Sequence, residues 1–140
     1  SAAGVDASDV GMIEGHGTAT RAGDSAELTA LHNTYGAAGS TAFIGSVKSN
    51  VGHAQAAAGM HGLIKVLLAG RHGHIPASLF ADNPTTRVDW DRCGLQLATK
   101  LQPWDAKGES RYGAVSSYGA GGVNAHVIVG MPVREEDDDE

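Results

Sequence analysis

Val10-Gly11-Met12-Ile13-Glu14-Gly15-His16-Gly17-Thr18-Ala19-Thr20 is the stretch on which the fold turns. Val10, Met12 and Ile13 form an apolar run too short for a helix, and Gly15 ends it, so Val10 to Glu14 reads as a buried strand. The strand hands a histidine to a loop of small residues. A second stretch repeats the arrangement. Phe43 to Val47 reads as a strand, followed by Lys48-Ser49-Asn50-Val51-Gly52-His53. Between the two, Asp24 starts a helix. Asp24 with Glu27 three residues on has capping-box spacing, Ala26, Leu28, Leu31 and Tyr35 follow, and Gly36 is placed as the C′ residue.

Outward from these stretches, Asn50 is read as the cap of a second helix that runs to about Ala69 and ends at Gly70. It is apolar nearly all round, with His61 and Lys65 sharing a narrow polar stripe, so it is expected to be largely buried. Gly59 and Gly62 would each cost about 1 kcal/mol against Ala in an isolated helix, which points to close packing. Ile75 to Pro84 reads as irregular, and Leu95 to Thr99 alternates as a short strand. Trp104 reads as a packing anchor. Tyr112 to Ser117 and Val123 to Val129 read as two strands joined by Gly119 to Gly122. The order is β-α-β-α and then three strands, with no internal repeat. That predicts an α/β layer whose first strands are parallel.

At 140 residues the chain holds one modest core. Hydrophobic residues at 41% and charged residues at 19% favour a globular domain over a disordered one. We expect that domain over residues 1–133. Residues 134–140, acidic throughout after Arg134, are expected to form a solvated tail. The net charge of −6 gives no footprint for nucleic acid. Cys93 is the single cysteine, so no internal disulfide forms, which fits a cytoplasmic location. No apolar run reaches the length of a membrane span and no signal peptide is visible. The opening Ala2-Ala3-Gly4 reads like the end of a helix, as expected of an excised fragment.

Both His16 and His53 follow a strand at its carboxyl end, the edge where open α/β sheets bind ligands. His32, His61, His72 and His74 lack that placement and read as structural or surface residues. His53, expected in the first turn after Asn50, would be kept neutral by the helix N-terminus and could donate a hydrogen bond to a carbonyl. Such a donor stabilises an oxyanion or enolate. Lys48 would add positive charge and could pair with Glu27. The glycine-rich hairpin could turn backbone N–H groups into a cleft. It is neither a P-loop nor a dinucleotide fingerprint, since no Gly-Lys-Ser/Thr and no helix follow. No zincin pattern is present and no metal is expected.

Taken together, His16 to Thr20, Gly23-Asp24-Ser25-Ala26-Glu27, Lys48 to His53, Leu101-Gln102-Pro103-Trp104 and Asn124-Ala125-His126-Val127 resemble the β-ketoacyl synthase domains of modular polyketide synthases. The resemblance runs from about Val10 to Val129. It implies the C-terminal half of a thiolase-like fold, a mixed sheet with helices packed on it and αβαβα layers in the full domain. It further implies decarboxylative condensation of an acyl thioester with a malonyl-type thioester. The nucleophilic cysteine would belong to the N-terminal half. Cys93, between Arg92 and Gly94, has the wrong context for it, so the isolated chain is expected to be inactive. By resemblance His16 and His53 bind the malonyl thioester carbonyl, with Lys48 as electrostatic support and Glu27 in a supporting role. Thr18, Thr20, Ala120, Gly121 and Asn124 would be substrate-binding. Thr18 and Thr20 would contact the phosphopantetheine arm of an acyl carrier protein, and the Ala120 N–H would serve an oxyanion hole. No other cofactor is implied. The partners implied are the N-terminal half, the carrier protein and a second copy in the full domain. Ala19, Ala120 and Val123 depart from the family pattern. Two other readings are a non-catalytic thiolase-fold partner, chain-length-factor-like or a docking subunit, and a metal-dependent hydrolase.

Overall fold

A parallel core of strands grows directly out of the two strand-histidine stretches. The structure, a computed structural model, describes residues 2–18, 21–79, 84, 86, 88–119 and 121–133. In chain order the main elements are β1 (Val10–Glu14), α1 (Arg21–Leu31), β2 (Phe43–Gly45), α2 (Lys48–Val51), α3 (Ala58–His72), β3 (His74–Ile75), β4 (Gln96–Leu97), β5 (Gln102–Pro103), β6 (Ser110–Tyr118) and β7 (Asn124–Pro132). The five-stranded sheet has the order β4-β2-β1-β6-β7. β1 runs parallel to β2 and β6, β2 runs parallel to β4, and β6–β7 is an antiparallel hairpin. This is the mixed sheet expected, with helices on both faces. β3 and β5 add a small antiparallel pair.

β1 is the centre of the sheet and is covered on both sides, which is why it reads as an apolar run. Its pairing with β6 slips between Val10 and Met12. The slip lets Val10 and Ile13 face the same core, with Leu28, Leu31 and Tyr35 of the α1 side, Cys93 and Leu95. Met12 faces the other core, with Val66 and Ala69 of α3, Trp104, Val115 and Met131. Trp104 is the expected anchor. Gly11 and Gly113 both lie against its ring, where a Cβ would collide.

Several boundaries differ from expectation. α1 starts at Arg21, so Asp24 is not its cap but lies in its first turn, where a negative charge suits the helix macrodipole. The helix continues through a wider turn, His32–Gly36, and Gly36 is no C′ residue. It is a glycine because the Cys93 carbonyl occupies the place of a side chain. β2 stops at Gly45, since the next two amides are taken elsewhere: Ser46 N–H by Ser78 Oγ at 3.1 Å and Val47 N–H by Glu14 Oε1.

The largest difference is in the second helix, which is not continuous from Asn50. α2 has Val47 as its N-cap, contains Asn50 and ends at Gly52, whose φ of +74° is left-handed. A 3₁₀ turn at Gln55–Ala57 then leads into α3, which ends at left-handed Gly73, so Gly70 is internal. His53 therefore lies in the break and not in a helical first turn. Nor is α3 largely buried. Val66, Ala69 and Gly70 pack inward, while Met60, Ile64, Leu67 and Leu68 stay exposed. The strand expected over Leu95 to Thr99 is only Gln96–Leu97, and the final hairpin extends further at its open end, from Ser110 and to Pro132. Val123 stands in its loop and is exposed. The expected roles of Ala19, Thr20 and Ala120, part of the irregular stretch before Pro84 and the acidic tail 134–140 lie outside the described residues.

Candidate active site

The sheet delivers three segments to one edge: the loop after β1, the broken helical segment after β2, and the hairpin end of β6 and β7. His16 is nearly buried, at 9% exposure, and His53 is exposed. Their rings are perpendicular with centroids 5.6 Å apart. The Tyr118 ring lies 5.2 Å from His16. The Tyr118 N–H donates to His16 Nδ1 at 3.4 Å, and the Gln55 N–H donates to His53 Nδ1 at 2.9 Å. A ring nitrogen that accepts cannot carry the proton, so these bonds assign the Nε2–H tautomer to both rings. Each histidine is thus left with one N–H donor.

The surroundings of His16 favour its neutral form. Burial lowers its pKa below 6.5, and the charge of Lys48 and the nearby His53 act in the same direction against a weaker pull from Asp24. Lys48 is itself held below the ordinary lysine range by burial, which Glu14 and Glu27 oppose.

Glu27 does not form the expected ion pair. Its Oε1 accepts the His16 N–H at 2.6 Å and its Oε2 the Gly17 N–H at 2.9 Å, so the carboxylate clamps the loop that carries the histidine. Burial raises its pKa and these two bonds oppose the rise. The ion pair is made elsewhere, by Lys65 Nζ with Glu14 Oε2 at 2.7 Å. Gly17 has φ +48°, and a Cβ there would lie 2.8 Å from Ser46 Cβ. The tight approach of the two histidine loops therefore needs glycine.

The hairpin contributes less backbone than expected. The Gly119 N–H bonds the Val123 carbonyl at 2.8 Å and the Gly122 N–H the Gly119 carbonyl at 3.1 Å. Gly121 is exposed near the tip, and Asn124 is exposed and pairs with Tyr118 beside His16. Thr18 is half-buried in the first loop. Cys93 sits in the core on the α1 side, its Sγ against the Trp90 and Leu95 carbonyls.

The sequence alone gives no site role to Tyr118, Glu14 or His126. Tyr118 falls between the expected strand Tyr112–Ser117 and the Gly119–Gly122 joint. Glu14 was counted as the end of a strand, although a carboxylate closing an apolar run two residues before His16 was a signal. His126 is hydrogen-bonded to Tyr35 Oη at 2.5 Å and Ser116 Oγ at 2.8 Å and ties α1's end to the hairpin. Of the histidines set aside, His32 donates to the Cys93 carbonyl at 2.7 Å and His74 contacts the His72 carbonyl. No helix among the described residues is long and apolar enough to cross a membrane. No group of three or more His, Cys, Asp or Glu placed to hold a metal ion occurs among them.

Residues 1–82 match the family described as β-ketoacyl synthase, C-terminal domain. The chain is 52% identical over 124 residues to Polyketide synthase GfsE of Streptomyces halstedii, covering 86% of this chain and 3% of that protein. It is 48% identical over 130 residues to Phenolphthiocerol synthesis polyketide synthase type I Pks15/1 of Mycobacterium bovis, covering 91% and 6%. Among solved structures it is similar to the oxazolomycin ketosynthase domain OzmH KS7 of Streptomyces albus JA3453, with a TM-score of 0.85 and 42% identity over 96% of this chain and 24% of that one. The ketosynthase from module 6 of the bacillaene synthase of Bacillus subtilis gives a TM-score of 0.84 and 37% identity, over 91% and 23%. The chain therefore spans about a quarter of these ketosynthase chains and a few hundredths of the curated relatives. With the histidine loops, the parallel core and these likenesses in agreement, the chain belongs to the β-ketoacyl synthase C-terminal domain family, as a C-terminal part of a ketosynthase of the modular polyketide synthase kind.

Proposed function

We propose that this chain supplies the decarboxylation half of a ketosynthase site. The observation that carries the reading is the pair of perpendicular imidazoles, each with Nδ1 occupied by a backbone N–H and each left with an Nε2–H donor. In the reaction proposed, the C–C bond to the malonyl carboxylate breaks and carbon dioxide leaves. The electron pair passes into the thioester as an enolate, whose oxygen gains charge. Donors already in place there stabilise that charge without reorganising, and losing one costs roughly 3–4 kcal/mol in known enzymes. The enolate carbon then attacks an acyl thioester held on a cysteine from the rest of the domain, and the thiolate leaves. Lys48 adds positive potential, and Glu27 keeps the His16 loop in place. Thr18 and Thr20 are the proposed contacts for the phosphopantetheine arm of an acyl carrier protein, Gly121 and Asn124 are further proposed substrate-binding residues, and the Ala120 N–H is the proposed oxyanion donor. An N-terminal half, a carrier protein and a second copy of the domain are the proposed partners.

The test uses the intact ketosynthase. His16→Ala and His53→Ala are each expected to cut malonyl-carrier decarboxylation about a hundredfold to a thousandfold, as expected for a lost oxyanion donor. Self-acylation with an acyl thioester should change only a few-fold. A variant that lost acylation and kept decarboxylation would reverse these roles. Retention of both histidines with such donors also weighs against a non-catalytic partner.

A further inference from the structure

Glu14 is a carboxylate 2% exposed, at the end of the most deeply buried strand. One oxygen bonds Lys65 Nζ of α3 at 2.7 Å, and the other accepts the N–H of Val47. Val47 immediately precedes Lys48 and starts the segment that reaches His53, while Glu14 itself lies two residues before His16. A single carboxylate therefore joins the two histidine segments to a third element. Gly62 on α3 makes room for it, since a Cβ there would lie 2.8 Å from Glu14 Cγ. Burial of such an ion pair is weak evidence for stability, because well-packed apolar replacements are often neutral or better. What an apolar pair would not replace is the acceptor at Val47. Glu27 clamps the backbone of the His16 loop, and Glu14 is placed to do the same for the Lys48–His53 segment.

We propose that Glu14, held by Lys65, is a positioning residue that fixes the Val47–Lys48 turn and so keeps Lys48 and His53 in register with His16. This rests on the ketosynthase reading above. Its catalytic consequence follows from geometry, since a displacement of about 1 Å can cost about a hundredfold in rate.

Two double variants of the intact ketosynthase separate positioning from simple stability. Glu14→Met with Lys65→Met removes both charges together and leaves no acceptor for Val47. Glu14→Gln with Lys65→Met also removes both charges but keeps an amide oxygen at Val47. The Met/Met variant is expected to lose about tenfold to a hundredfold in malonyl decarboxylation, with acylation within threefold. Amide hydrogen exchange should quicken in the 46–53 segment and stay unchanged in α1. The Gln/Met variant is expected to recover most of the decarboxylation and the protection. Equal behaviour of the two variants, or a parallel fall in acylation and decarboxylation, would overturn the positioning role. Decarboxylation absent from the wild-type enzyme would overturn the ketosynthase reading and with it any role in this reaction. Exchange in the 46–53 segment would still test the structural strut.

Discussion

At the scale of single residues, the chemistry depends on which histidine nitrogen carries a proton. The lowered pKa of His16 keeps its imidazole neutral at pH values where a free histidine is half charged. We expect its ring to titrate below pH 6.5 in the intact ketosynthase, followed by the NMR shift of its Cε1 proton, and decarboxylation to survive to the same lower pH. A midpoint at or above 6.5 would contradict the burial argument. The sign for stability follows. A histidine with a lowered folded pKa contributes stability that is present above the unfolded value and is lost as pH falls through the folded one. His16 and His126, whose pKa burial also lowers, thus weaken the fold on the acidic side of neutrality. Gly17 is a second residue-scale constraint. Gly17→Ala must hold a left-handed backbone and push Ser46 aside. The backbone alone costs about 1–2 kcal/mol, so a fall in Tm together with slower decarboxylation is expected. An unchanged Tm would show that the two loops are looser than described.

The break between α2 and α3 sets the site at the scale of elements. A continuous helix would have put His53 on a regular helical face. The left-handed Gly52 ends α2, and the backbone N–H of Gln55, beyond the break, bonds the His53 ring. A Cβ at Gly52 would meet nothing within 4 Å, so Gly52→Ala tests conformation alone. It is expected to destabilise by about 1–3 kcal/mol in chemical denaturation, because φ +74° with ψ −175° is a region essentially reserved for glycine, and to slow decarboxylation. Gly62→Ala tests packing instead. Its Cβ would press on Glu14 and Val115, so overpacking should cost about 1–3 kcal/mol. Should Gly62→Ala stabilise the protein, as helix propensity alone would predict, the close contact between α3 and Glu14 would be refuted.

For the whole molecule, the exposed side of α3 is the dominant feature. Met60, Ile64, Leu67 and Leu68 are 41–57% exposed on a helix with a well-packed opposite side. Of these, Ile64 and Leu68 line, with Val51, His61 and Leu101, an open groove of about 510 Å³. A continuous apolar surface of this kind drives association when left open. The chain on its own is expected to self-associate in sedimentation velocity across a concentration series, and Ile64→Lys with Leu68→Lys to reduce this without lowering Tm. A monomer at every concentration would count against it. The chain alone is also expected to form no β-ketoacyl product from acyl and malonyl carrier proteins. Its cysteine is buried in the α1-side core, with its Sγ against the Trp90 and Leu95 carbonyls, and covalent transfer needs a nucleophile within reach.

Local pattern determined a good deal by itself. The apolar run at Val10–Glu14, the two hairpin strands parted by Gly119 to Gly122 and the small residues around His16 and His53 each report a short-range constraint, and each is legible in the sequence. So is the α/β class, because the order of strands and helices follows from those periods. Tertiary structure decided the rest. Gly36 and Gly52 look alike in sequence, yet one is excluded from having a side chain by the Cys93 carbonyl and the other supplies a left-handed turn. Lys48 looked like the partner of Glu27. Space instead gave Glu27 to two backbone amides and gave the ion pair to Glu14 and Lys65, 51 residues apart. Periodicity reports which face of an element is apolar, whereas the pairing of buried polar groups depends on which distant segments fold against each other.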